Sequence, residues 1–157
     1  MDRLLDHART GPLYLRQPRI AQLVLDALQY GQDSLGHYTL HTFVVMPNHV
    51  HLLITPQVEA PKLLRSLKGI TAKRANQILG STERSFWQEE SYDHVVRDGK
   101  EFDRIRWYIE ENPVRAGLAA EAEAYPWSSA WREGADRGAG CGPGGPPHLC
   151  QPDSSKM

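Results

Sequence analysis

The chain has 157 residues, 40% of them hydrophobic and 24% charged, which is the composition of an ordinary globular domain. Its formal net charge of −1 excludes the overall basic character of many nucleic-acid-binding proteins, so any surface for DNA has to be a local patch. No apolar run approaches the roughly 18 residues needed to cross a bilayer, and the first residues do not resemble a signal peptide. Both cysteines fall near the C-terminus and predict no disulfide framework, so we expect a cytoplasmic protein that has no membrane partner.

The first half of the chain predicts a helix followed by a β-hairpin. Residues 18–31 have apolar side chains at helical spacing, with a proline at the start and a glycine at the end. Residues 37–46 alternate and are rich in β-branched and aromatic side chains, which is typical of a strand. Pro47-Asn48 is a turn signal, and residues 49–55 form a second strand pattern.

The second half predicts a helix over 61–79, a short strand around 92–96 and a third helix that Pro113 ends at residue 112. The element order predicts an α+β, ferredoxin-like fold, with an antiparallel sheet, helices on one face, and the first edge strand missing at the N-terminus. We assign residues 1–132 to one domain and the Gly/Pro-rich residues 133–157 to a disordered tail.

Two histidines in the hairpin are the first candidate for a functional site. His49 and His51 flank Val50, and alternation in a strand places both imidazoles on the same face. Two imidazoles one step apart can ligate one divalent ion, although imidazole and oxygen ligands do not select a single metal. The alternative interpretation is that both rings face solvent.

The third predicted helix supplies candidates for the rest of a site. Tyr108 and Asn112 are four residues apart and therefore share a helical face. Beside a divalent ion, a tyrosine can act as a covalent nucleophile on a phosphodiester, and an amide oxygen can complete the ligand set. The alternative is that Tyr108 is an aromatic at the edge of the core and Asn112 is only the last residue before a proline.

The second predicted helix is a candidate surface for phosphates because residues 61–77 include basic side chains and no acidic ones. The candidate DNA-binding residues are Lys62, Arg65, Lys68, Lys73 and Arg74, with Arg97 and Arg115 as further candidates. Trp87, Tyr92 and Trp107 are candidates for stacking on unpaired bases. A solvated basic face and packed aromatics are the alternative explanations.

Four motifs together resemble the REP-associated tyrosine transposases, a group of the single-tyrosine HUH (histidine-hydrophobic-histidine) transposases that are IS200-like. The motifs are "VVMPNHVHLLI", "SLKGITAKRAN", "FWQEESYDHVVRD" and "YIEENPVRAGL", and the resemblance covers roughly residues 12 to 131. Members of the family normally begin with a strand that precedes the first helix. The start of this sequence shows no such pattern, which predicts an N-terminally truncated domain.

The resemblance implies a metal-dependent transposase that cuts and rejoins single-stranded DNA near hairpins of repetitive extragenic palindromes. It implies that Tyr108 forms a 5′-phosphotyrosine link and that His49, His51 and Asn112 bind Mg²⁺ or Mn²⁺. Two alternatives stay open: a truncated remnant that binds hairpin DNA without cutting it, and a metal-dependent hydrolase that has no covalent step. The DNA sequence recognised, the preferred metal and the choice between monomer and homodimer are not predicted.

Overall fold

The computed structural model describes residues 3–7, 13–81, 85–87 and 91–133, with side chains left undescribed for strand residues 3–7 and 91–93. Most of the predicted tail, residues 134–157, and with it both cysteines, lies outside the described residues. Within the described part, no helix is long and apolar enough to cross a membrane.

A four-stranded antiparallel sheet forms the centre of the fold. Its strands are β1 (Arg3–His7), β2 (Tyr38–Val45), β3 (Val50–Pro56) and β4 (Ser91–Val95), arranged in the order β2-β3-β1-β4. This is the order expected of a ferredoxin-like sheet, so the predicted α+β fold class is confirmed.

The prediction that the first strand is missing was wrong. β1 is present at Arg3–His7, and it lies inside the sheet between β3 and β4, not at an edge. The five residues "RLLDH" have no pattern that marks a strand by itself. Their conformation depends on pairing with a strand on each side, which is a contact between distant parts of the chain.

Three helices cover the sheet, and they lie on both of its faces. Helices α1 (Pro18–Asp33) and α2 (Ala60–Leu79) pack into one apolar cluster with the side chains of Leu52 and Ile54. Helix α3 (Gly99–Arg115) packs into a second cluster with Leu53 from the opposite face of β3. The prediction of helices on one face therefore holds for α1 and α2 and was wrong for α3.

A β-bulge at His41 changes the alternation of β2. Leu40 pairs with Ile54 and Thr42 pairs with Leu53, so His41 is an extra residue in the strand. Before the bulge, Leu40 packs in the cluster of α1 and α2, and after it Val45 does so while Val44 joins the cluster of α3. The bulge thus determines to which face of the sheet each following side chain of β2 points, up to the hairpin turn.

Helix α3 has clear signals at both ends. Asp98 caps its N-terminus by accepting a hydrogen bond from the backbone N–H of Glu101, at 2.8 Å. The predicted end at residue 112 was wrong, because Pro113 lies inside the helix, which ends at Arg115. The backbone N–H of Leu118 donates to Pro113 and that of Gly117 to Val114, and Gly117 has a φ of 72°. This is a Schellman motif, in which glycine adopts the left-handed conformation at low cost.

The segment after α3 returns to the sheet and pairs with β2. Val45 donates its backbone N–H to the carbonyl of Trp127 at 2.8 Å, and Ser129 donates its N–H to Phe43 at 3.0 Å. The hydroxyl of Tyr125 donates to the carbonyl of Val45 at 2.9 Å. Residues 125–129 therefore cover the edge of β2 and hold the end of that strand beside the hairpin turn.

Candidate active site

The two histidines of the hairpin are in direct contact, on the face of the sheet that α3 covers. Their Nε2 atoms are 3.0 Å apart and their ring planes are nearly perpendicular, at 85°. His51 is fully buried and His49 is 7% exposed. Alternation in β3 produces this arrangement, since Val50 and Leu52 turn to the other face and pack with α1 and α2.

A neighbour that the sequence suggested only as a turn residue orients His49. The Oδ1 atom of Asn48 is 2.7 Å from Nδ1 of His49, so it accepts a hydrogen bond in the tautomer that carries its proton on Nδ1. Fixing the proton on Nδ1 leaves Nε2 of His49 with a lone pair available for a cation. The position of an asparagine directly before the first histidine was the signal in the sequence.

Helix α3 brings Asn112 to the same point. Its amide nitrogen is 3.1 Å from Nε2 of His51. A half-turn of the amide presents its oxygen there instead, and oxygen is the atom that Mg²⁺ prefers. The three residues predicted as metal ligands, His49, His51 and Asn112, therefore meet at one place.

This donor set fits a divalent ion. Two ligand nitrogens at right angles on an ion about 2.1 Å away are about 3.0 Å apart, which is the separation of the two Nε2 atoms. Among the described residues, no three His, Cys, Asp or Glu side chains cluster as metal ligands, and the third side chain that could bind an ion at this point is the amide of Asn112. Mixed imidazole and oxygen ligation leaves coordination positions for water or a phosphate.

Tyr108 lies beside this donor set. Its ring meets the imidazole of His51 edge-on, with centroids 5.7 Å apart and planes at 76°. The side chain is partly buried and packs against the cluster of Ile105 and Ile109. Tyr108 and Asn112 share a helical face as predicted, and that face is the one directed at the histidines.

Arg115, one of the predicted DNA-binding cations, contacts the ring of the nucleophile candidate. The Cζ atom of its guanidinium is 5.4 Å from the centroid of the Tyr108 ring, which is a cation–π contact. Arg115 belongs to the last turn of α3 and is exposed, so its guanidinium can reach a phosphate held beside the phenol.

The cations of α2 lie on the other face of the sheet from Tyr108. Their helix packs with α1 and with Leu52 and Ile54, whereas the site packs with Leu53. Lys68 is partly buried, and the other four are exposed: Lys62, Arg65, Lys73 and Arg74. The structure does not bring them to the histidine pair.

Arg97 stands before the first turn of α3, beside a surface hollow of about 340 Å³. Its backbone N–H donates to the carboxylate of Glu101 at 2.7 Å, and Nε2 of His94 is 3.0 Å from that carboxylate. The hydrogen bond from Arg97, followed by that from His94, lowers the pKa of Glu101 below its ordinary value.

The three aromatic candidates for base stacking differ in their surroundings. Trp87 is partly buried, packs against α2 and donates its indole N–H to the hydroxyl of Thr71 at 2.6 Å. The side chain of Tyr92 lies outside the described residues. Trp107 is 58% exposed and stands next to Tyr108 on α3.

The sequence was compared with models of protein families. Residues 18–112, more than half of the chain, match the family model described as "Transposase IS200 like". The chain belongs to this family. The resemblance to the REP-associated tyrosine transposases predicted from its motifs is thereby confirmed at the level of the family.

Two curated proteins of Haemophilus influenzae are similar to this chain. An uncharacterised protein is 33% identical over 95 residues, which are 46% of this chain and 52% of that protein. A protein named as a candidate REP-associated tyrosine transposase is 24% identical over 115 residues, 65% of each. The chain therefore spans about half to two thirds of the length of these relatives.

Two solved structures were found to be similar to this chain. One is a REP-associated tyrosine transposase bound to a REP hairpin, with a TM-score of 0.61 and 19% identity, covering 82% of this chain and 75% of that one. The other is a candidate transposase from Deinococcus radiodurans, with a TM-score of 0.48 and 26% identity, covering 71% and 89%. The first supports the fold described above.

Proposed function

We propose that this protein is a metal-dependent transposase that cleaves and rejoins single-stranded DNA near hairpins, with Tyr108 as the nucleophile. The observation that carries the proposal is the contact of the Tyr108 ring with His51, whose Nε2 lies 3.0 Å from that of His49 and 3.1 Å from the amide of Asn112. A nucleophile and a set of cation ligands on one face, next to an exposed arginine, are the parts that phosphodiester transfer requires.

The proposed reaction is a transesterification. The phenolic oxygen of Tyr108 attacks the scissile phosphorus and loses its proton to water, and a new P–O bond joins the protein to the 5′ end that the break creates. The bond from phosphorus to the 3′ oxygen breaks, and that oxygen takes up a proton as a free 3′-hydroxyl. The number of phosphodiester bonds is conserved, so a 3′-hydroxyl of DNA can attack the link and reverse the step.

His49, His51 and Asn112 would hold Mg²⁺ or Mn²⁺, which supplies polarisation of the phosphate and offsets the charge that develops there. The chain itself contributes the remaining functions. His51 holds the phenol of Tyr108 at a fixed angle, and Asn48 fixes the tautomer of His49. The guanidinium of Arg115 offers a further positive charge beside the phenol.

The alternative of a remnant that binds DNA without cutting rested on a missing strand. Because β1 pairs with β3 and β4, that reason no longer applies. For the DNA partner, a hairpin is proposed because a similar fold is described as bound to a REP hairpin, and α2, Arg97 and Arg115 are its proposed phosphate contacts.

The test is covalent capture on a labelled DNA stem-loop that has unpaired flanks, incubated with the protein and Mn²⁺ and resolved on a denaturing gel. We expect a protein–DNA adduct with the unmodified chain, none with Tyr108→Phe, and an unchanged amount with Tyr30→Phe, which alters an exposed tyrosine of α1. Phenylalanine keeps the ring contact with His51, so loss of the adduct reports on the hydroxyl.

An adduct that persists in Tyr108→Phe would overturn the assignment of the nucleophile. Cleavage without any adduct, at a rate that Tyr108→Phe leaves intact, would favour a hydrolase. Hairpin binding without cleavage by the folded chain in Mg²⁺ and Mn²⁺ would favour the binding module.

A further inference from the structure

Trp107 is the most exposed large hydrophobic side chain among the described residues, at 58%. It lies on α3, one position before Tyr108, and the packing of α3 against the sheet is made by Ile105 and Ile109. Exposing the indole ring to water beside Tyr108 is unfavourable in free energy. A ligand with a flat apolar face that covered the ring would remove this penalty.

The cations near Trp107 fall on the side of α3 that adjoins Tyr108. At 100° per residue, Arg104 projects between Trp107 and Tyr108, about 40° from the latter, and Lys100 projects within about 20° of Trp107. Arg104 is 75% exposed and forms an ion pair with Glu101 at 3.6 Å. These three residues form one stripe, Lys100–Arg104–Trp107, along the edge of α3 next to the site.

Acidic side chains flank this stripe, but most of them point away from Tyr108 or are engaged. Asp103 and Glu110 project on the far side of Trp107, and Glu110 is paired with Arg106 at 3.1 Å. Glu101 accepts hydrogen bonds near His94 and Arg97. Glu111 projects between Lys100 and Arg104, within the stripe, and is partly buried.

The stripe is continuous with the hollow of about 340 Å³ at the start of α3. Arg97, Lys100 and Arg104 line that hollow together with Asp98 and Glu101. The carboxylate of Asp98 accepts the capping hydrogen bond from the N–H of Glu101. The side chains of Lys100 and Arg104 therefore extend from the hollow along about two turns of helix to Trp107, which stands next to Tyr108.

We propose that this stripe binds the unpaired DNA strand that leads into the active site, with Trp107 stacking on a base next to the scissile phosphate and Arg104 and Lys100 contacting phosphates. The proposal rests on the function proposed above. Exposed aromatics interleaved with cations are the arrangement by which proteins hold single strands without reading their sequence. Stacking at this position would hold the strand so that its phosphate faces the phenol.

The test measures binding to a stem-loop with unpaired flanks in EDTA, so that no cleavage occurs, with a series of probes that each lack one base of the flank. We expect Trp107→Ala to weaken binding about tenfold, and one abasic position to weaken the unmodified protein similarly but leave Trp107→Ala unaffected. Arg104→Ala should weaken binding and reduce its salt dependence. The matched controls are Tyr30→Ala, an exposed aromatic on α1, and Arg106→Ala, an arginine of α3 off the stripe.

Unchanged affinity and an unchanged abasic profile in Trp107→Ala would overturn the proposal, and so would a self-association of the chain that Trp107→Ala abolishes without affecting DNA binding. These outcomes are separable from failure of the proposed function. If Tyr108 is not the nucleophile, no Tyr108-dependent adduct forms, while the abasic profile remains. If the stripe does not bind DNA, Trp107→Ala binds DNA with unchanged affinity and still forms the adduct.

Discussion

His51 and Tyr108 are in edge-on ring contact although one lies on a buried strand and the other on the last helix. The contact exists because Leu53 on β3 and Ile105 and Ile109 on α3 share one apolar cluster, which docks the helix over the histidine pair. The position of the candidate nucleophile therefore depends on core packing, and its chemistry depends on the polar atoms that the packing brings together.

Binding of Mn²⁺ should stabilise the folded chain, because the ligands converge only in the native state. At a concentration 100-fold above its Kd, an ion adds about 2.7 kcal/mol to the free energy of unfolding. We expect Mn²⁺ to raise the Tm of the unmodified chain and not that of His49→Ala, measured by thermal melts with and without metal. His41→Ala, which removes an exposed histidine from β2, should retain the full shift. An equal shift in His49→Ala would exclude the proposed ligand set.

Gly31→Ala should destabilise the protein, whereas Gly69→Ala should stabilise it. A Cβ atom at Gly31 would lie 2.5 Å from the hydroxyl of Tyr38, which is held by a 2.8 Å hydrogen bond to the carbonyl of Leu28. Crowding of this kind costs about 1–3 kcal/mol. A Cβ atom at Gly69 meets nothing within 4 Å, so alanine there should add about 0.5–1 kcal/mol in the interior of α2. Urea unfolding of the two variants checks both signs.

Alkaline pH should weaken the fold through two buried tyrosines. Burial raises the pKa of Tyr38 to about 12, with a contribution from Asp33, and burial raises that of Tyr125 to about 12. The neutral phenols are favoured in the folded state, so their contribution is complete below the ordinary pKa of 10 and is lost as the pH rises through 12. Unfolding followed over that range should show a smaller loss of stability in Tyr125→Phe. The same loss in that variant would contradict the assignment.

The cations of α2 should affect binding of DNA without affecting the covalent step. Because they lie across the sheet from Tyr108, any phosphate they contact is distant from the bond that is cut. Arg65→Ala and Lys73→Ala should each reduce the slope of log affinity against log salt by about 0.7, the value for one single-strand phosphate contact. The rate of adduct formation at saturating DNA should stay unchanged. A slope no different from that of Arg106→Ala would identify α2 as a solvated face.

The sequence predicted those parts of the molecule that depend on local pattern. The His-x-His alternation, the shared face of Tyr108 and Asn112 and the bounds of α2 follow from periodicities of two and 3.6 residues, and the structure agrees with each. Local pattern did not reveal β1, whose conformation comes from two neighbouring strands, nor the bulge at His41. Pro113 did not end the helix as predicted. It is buried inside α3, and the Schellman motif at Gly117 satisfies the backbone carbonyls after it.

The pairing of residues 125–129 with β2 determines which fragments of this protein can keep the site intact. Val45 pairs with Val50, the residue between the two histidines, and Val45 is held at its N–H by Trp127 and at its carbonyl by Tyr125. The family match ends at residue 112 and begins at residue 18, so a fragment made to those limits would lose this brace as well as the interior strand β1. We therefore expect the smallest fragment that keeps the site to run from β1 through Ser129. If a shorter fragment did not bind Mn²⁺, the cause would be the lost strand pairing and not the ligand residues.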